Sequence, residues 1–139
     1  MKFEKNWPHK TLESLEKKIW PADQGESHLI TTCLALRKKQ LKDFTTEDLR
    51  IMIRQEIGLE YLIPMAIEVL SLDLFAEGDL YPGDLLSSVF SIDTVFWDTH
   101  KDYWEQLDEI TKHHRKMIAK QGIKTEKFDA SQHNPQSHD

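Results

Sequence analysis

The chain has 139 residues, 39% of them hydrophobic and 30% charged, with one Cys, five Gly and five Pro. That length fits one domain whose core needs no disulfide or metal, and so few Gly and Pro argue against a linker-rich, collagen-like or many-turned all-β chain. The formal charge of −6 is unevenly spread: residues 1–42 carry nine Lys or Arg against five Asp or Glu, residues 43–109 three against sixteen, and residues 110–139 six against three. An acidic middle of that weight repels nucleic acid and membrane surfaces and attracts a basic partner. Acids that only solvate helix faces give the same tally. The lone Cys33, the lack of an apolar run in Met1 to Pro8 and the lack of any 18-residue apolar stretch predict a cytoplasmic chain with no membrane span.

Periodicity is helical almost throughout. Leu12, Leu15 and Ile19 follow a Thr11 cap, and Pro21 stops the first short helix. Ser27 opens a second, with Leu29, Ile30, Cys33, Leu34 and Leu36 on its apolar face. Its end carries Arg37-Lys38-Lys39, cations that complement the negative end of the helix dipole. Phe44-Thr45-Thr46-Glu47-Asp48-Leu49 is the clearest start signal, with a hydroxyl to cap and acids in the first turn. Leu49, Met52, Ile53 and Ile57 follow on one face, and Gly58 is expected to end that helix. Residues 61–72 are apolar nearly all round, which marks the central helix. Its Pro64 is tolerated only in the first turn.

Glu77-Gly78-Asp79-Leu80-Tyr81-Pro82-Gly83-Asp84 reads as a loop leading into a helix over 85–90. Ser91 or Asp93 caps a stretch with Val95, Phe96 and Trp97. A last helix from about Lys101 to Gln121 aligns Tyr103, Leu107, Ile110, His114 and Met117. Whether Thr99-His100 interrupts it is left open by the pattern. Residues 124–139 contain one large apolar side chain, Phe128, and are expected to form a disordered tail. No period-2 run is present. The expected fold is all-α, a single compact bundle of about six helices over 1–123 followed by the tail over 124–139.

Catalytic signals are sparse. Cys33 lies on an apolar helix face, the usual place for an inert thiol. Glu109 and His113 have metal-ligand spacing, yet without a second such pair they do not define a metal site. There is no phosphate loop, Cys-x-x-Cys or Gly-x-Ser-x-Gly. The basic runs fall near helix C-termini, and a pI near 5.6 is low for a nucleic-acid binder. An interaction protein remains, with no cofactor, metal or catalytic residue expected.

The string Phe44-Thr45-Thr46-Glu47-Asp48-Leu49-Arg50, followed by Gly58-Leu59-Glu60-Tyr61-Leu62-Ile63-Pro64 and Glu77-Gly78-Asp79-Leu80-Tyr81-Pro82-Gly83-Asp84-Leu85-Leu86, resembles the immunity proteins of bacterial contact-dependent growth inhibition, CdiI. The resemblance covers roughly residues 28–90, with Trp97 after it. It implies a non-enzymatic protein that forms a 1:1 complex with the C-terminal toxin domain of a cognate CdiA effector. Such domains are commonly nucleases, many of them ribonucleases, and their basic clefts suit an acidic inhibitor that occludes the active site. The alternative from another class is an acidic nucleic-acid mimic that regulates a basic transcription or replication factor.

Two acidic segments are candidates for the toxin-binding surface. The first is Asp93 to Glu109, with Asp93, Trp97, Asp98, Asp102, Trp104, Glu105, Asp108 and Glu109. The second is the loop with Asp73, Glu77, Asp79 and Tyr81. In the loop, Gly78, Tyr81, Pro82 and Gly83 equally suit a scaffold role, and Asp84 suits the first turn of the next helix. In the Asp93 to Glu109 segment, aromatics facing inward and acids that merely solvate are an equal reading.

Overall fold

The computed structural model describes residues 3–21 and 27–138. Local start signals behave as the sequence dictates. Thr11 caps α1 (Leu12–Glu16), Ser27 caps α2 (His28–Leu36), and Thr45 with Asp48 forms a full capping box on α3 (Thr46–Arg54). The box satisfies two backbone N–H groups reciprocally and fixes where α3 begins.

The central helix α4 (Leu59–Leu72) buries Leu59, Leu62, Ile63, Ala66, Ile67 and Leu70 against α3, α5 (Asp84–Phe90) and α7 (Lys101–Thr111). It starts two residues earlier than its apolar run predicts. Gly58, at φ +66°, opens α4 instead of closing α3, and the left-handed residue after α3 is Glu56. A Cβ on Gly58 would lie 2.7 Å from a Leu12 methyl carbon, so the position is closed to side chains on steric grounds as well.

Pro64 therefore stands inside the helix and not in its first turn. Its ring removes the N–H that Glu60 C=O would accept. The Tyr103 hydroxyl donates to that carbonyl at 2.9 Å and replaces the lost bond. Burial, with help from the Glu60 and Asp102 carboxylates, pushes the Tyr103 hydroxyl up to about 12, so it stays a donor.

The stretch over 94–120 is three helices, and the helix expected from about Lys101 to Gln121 is broken by a 3₁₀ turn. Short α6 (Thr94–Asp98), capped by Asp93, ends at Thr99, and His100 resets the backbone before α7. At the far end the buried Thr111 hydroxyl donates to Leu107 C=O at 2.8 Å, a back-bond that bends helices. A 3₁₀ turn over Lys112–His114 follows, and then α8 (Arg115–Lys120). The shift in phase buries Ile118 and leaves Met117 half exposed.

The expected disorder after residue 123 is corrected by the structure. Short α9 (Glu126–Asp129) buries Phe128 completely, edge-on to Trp97 and Phe90 and stacked on Trp104, with centroids 5.0, 5.3 and 5.0 Å away. Trp104 Nε1 donates to Phe128 C=O at 3.1 Å, and Arg115 pairs with Asp129 at 3.0 Å. One aromatic residue with three aromatic partners offsets the ordering entropy that the composition alone could not. Residue 139 of that segment lies outside the described residues.

Arg37 also departs from its expected role. It is 1% exposed, its guanidinium pairs with Glu16, donates to Lys18 C=O at 2.6 Å and lies 4.3 Å over the Trp20 ring. It clasps the segment after α1 to the end of α2, where a solvated dipole partner was expected. Lys39 likewise has a specific partner, Asp48, at 2.6 Å. Ile19 falls beyond α1, which Lys17 ends at φ +53°, and is exposed.

Candidate functional site

The loop after α4 is built on carboxylates that point inward. Gly83 N–H donates to Phe75 C=O at 3.0 Å and Glu77 bridges to Pro82, which closes the base of the turn. Four successive backbone N–H groups then converge on two acids. Those of Gly78, Leu80 and Tyr81 donate to Asp84, at 2.6, 3.0 and 3.4 Å, and that of Asp79 donates to Glu47 at 2.8 Å. Asp84 is 1% exposed.

Arg50 supplies the countercharge. It grips Glu47 through two bonds of 2.6 and 2.5 Å and stands 3.8 Å from Asp84. Bonding to Arg50 holds the Glu47 carboxyl below its ordinary range, burial opposes it, the Asp79 N–H adds a smaller lowering, and Glu47 raises Arg50 in turn. A Cβ on Gly78 would lie 2.6 Å from Glu47 Oε1, so a larger residue must push that carboxylate off the Asp79 N–H. Glu47, Arg50, Gly78 and Asp84, far apart in sequence, form one unit. It holds the loop in shape, and the loop's exposed side chains are Glu77, Asp79, Leu80, Tyr81 and Pro82. Asp73 is exposed at the end of α4.

The second candidate segment divides sharply. Trp97 (0% exposed) and Trp104 (4%) are core residues that hold Phe128, not surface anchors. Asp93 caps α6 by accepting from Val95 N–H at 2.9 Å. The Asp98 carboxylate accepts from Ser131 Oγ and Gln132 N–H, both at 2.9 Å, and so pins the C-terminal segment. Asp108 lies 4.0 Å from Arg115 and is half-buried.

Asp102, Glu105 and Glu109 remain, exposed at i, i+3 and i+7 along α7. With Gln106 and Ile110 they border an open groove whose opposite wall includes Ile67 of α4. A second hollow, lined by Glu60, His100, Lys101 and Tyr103, shares Asp102 and Gln106 with it, so the two adjoin and together form an acidic trough. Lys101 lies 3.7 Å from Glu105 and Lys112 lies 2.7 Å from Glu109, a bond that holds the Glu109 carboxyl below its usual range. Four carboxylates against two ammonium groups leave the trough negative.

Glu60, Ile67, Gln106 and Ile110 were not among the sequence candidates. Glu60 is drawn in because Tyr103 binds its carbonyl, a pairing 43 residues apart with no local signal.

Glu109 pairs with Lys112, and among the described residues no group of three or more His, Cys, Asp or Glu is placed to hold a metal ion. Cys33 is buried, and burial pushes its thiol up, away from reactivity. Among the described residues no helix is long and apolar enough to cross a membrane.

The described residues form a charged, α-helical fold with a groove on α7 bordered by exposed acids. The family model for CDI immunity proteins matches residues 14–107, well over half of the chain, and the chain belongs to that family. It is thus by family an immunity protein, an inhibitor whose partner is a CdiA toxin. Among curated proteins none matches the chain, and among solved structures none does.

Proposed function

We propose that the chain neutralises the C-terminal domain of its cognate CdiA effector, a basic nuclease and most simply a ribonuclease, by laying the α7 face over the substrate cleft in a 1:1 complex in the cytosol of the producing cell. The observation that carries this reading is the trough itself. Asp102, Glu105 and Glu109 of α7 are exposed beside half-buried Ile110 and the edge of buried Ile67, and exposed Glu60 of α4 lines the adjoining hollow. A nuclease must present cations where phosphates bind, and carboxylates held on one helix can take those places. The charge also speeds encounter, which matters when the toxin must be caught before it turns over substrate.

The test is a nuclease assay on the purified toxin domain encoded beside this chain. Activity should fall linearly with added protein and vanish at one equivalent. A complex that forms yet leaves the domain fully active would overturn occlusion, and a toxin domain with no nuclease activity would overturn the substrate class.

A further inference from the structure

We infer that the 77–84 turn is a second contact point for the same toxin domain, a preformed knob in which Leu80 and Tyr81 enter an apolar notch bordered by Lys or Arg. This inference rests on the reading of the chain as a toxin-binding protein.

The turn's shape is fully determined from within. Its N–H groups at 78–81 are taken up by Asp84 and Glu47, and Arg50 neutralises the pair. Yet its two large apolar side chains face water: Leu80 is 61% exposed and Tyr81 42%. A turn that served only to close the chain needs no apolar residues at its tip, where polar residues are the usual choice. Here the fold fixes the geometry of side chains that contribute nothing to its own core.

Such an arrangement suits recognition, because a knob already in its bound shape loses little freedom on docking. Tyrosine is among the residues that carry most binding energy at such points. The exposed acids Glu77 and Asp79 precede the tip and set the charge of the rim it meets.

The trough is lined from α4 by Glu60 and Ile67, and the loop begins where α4 ends at Leu72. Along α4, Glu60 to Leu72 spans roughly 18 Å at the helical rise, less than the width of one domain.

The test compares the full chain with its Leu80→Ser and Tyr81→Ser variants and the double variant, each titrated with the cognate toxin domain. The substitutions lie on the surface, and matching circular dichroism spectra and urea midpoints verify the fold. The double variant should bind at least tenfold more weakly, through faster dissociation, with the salt dependence of association unchanged. Folded variants that bind within twofold of the parent overturn the inference while leaving toxin binding by the α7 trough intact. A parent chain that binds no toxin domain overturns the underlying reading itself. A concentration-dependent dimer of the parent that the double variant lacks assigns the knob to a second copy, and also overturns it.

Discussion

The 77–84 turn and the α7 face carry similar residues and use them in opposite ways. In the turn, Asp84 and Glu47 face inward, collect four backbone N–H groups and lean on Arg50. On α7, Asp102, Glu105 and Glu109 face solvent around an apolar wall. The first set defines shape and the second presents charge. An acid's role is thus set by whether the fold aims orphan N–H groups at it, and net charge by segment does not reveal that.

The sharpest way to break this contrast is Asp84→Ala. Three N–H groups would lose their acceptor inside a nearly closed site, and Arg50 would lose a neighbouring charge. We expect a loss of about 2–4 kcal/mol in urea unfolding. A loss below about 0.5 kcal/mol would make the inward acids no different from surface ones. Asp98→Ala should cost less, about 1–2 kcal/mol, and should raise amide exchange in residues 126–134, because Asp98 holds Ser131 and Gln132. Unchanged exchange there would remove its pinning role.

Acid titration gives a third, smaller effect. Glu47 has a lower pKa folded than its ordinary value of 4.5, so the folded state binds its proton less readily. Its contribution is complete above the ordinary value and is lost as pH falls through the folded value. Glu47→Gln should therefore flatten the fall in stability below about pH 4.5, and an unaltered acid limb would contradict the assignment. The smallest stability effect belongs to α7. Neutralising Asp102, Glu105 and Glu109 together to Asn, Gln and Gln should leave the urea midpoint almost unmoved. A marked fall would show that these acids, too, are part of the scaffold.

What was legible in the sequence was local. The all-α class, the Thr11, Ser27 and Thr45 caps and the identity of the central helix follow from patterns within a few residues of one another. Misreadings came where a distant partner decides. Pro64 is admitted by Tyr103, and Phe128 is recruited by Trp97 and Trp104. Arg37 is claimed by Glu16 and Trp20. The two tryptophans, seven residues apart on either side of the break at Thr99–His100, both face the core and leave only acids among that segment's candidates at the surface. Of the twelve candidate binding residues, the structure groups Asp102, Glu105 and Glu109 at the trough, and places Glu77, Asp79 and Tyr81 on the turn. It puts Asp93 at a cap that the sequence offered, and gives Asp98 bonds to Ser131 and Gln132 that no spacing encodes.

Association kinetics show whether the solvent-facing carboxylates of α7 recognise a basic toxin cleft. Stopped-flow binding of the cognate toxin domain to the parent and to the Asp102→Asn, Glu105→Gln, Glu109→Gln triple variant, at low and at high salt, separates charge from fold. The account expects the triple variant to associate roughly ten- to a hundredfold more slowly at low salt, with a much flatter salt dependence. A folded triple variant that associates as fast as the parent, with the same salt slope, would contradict it.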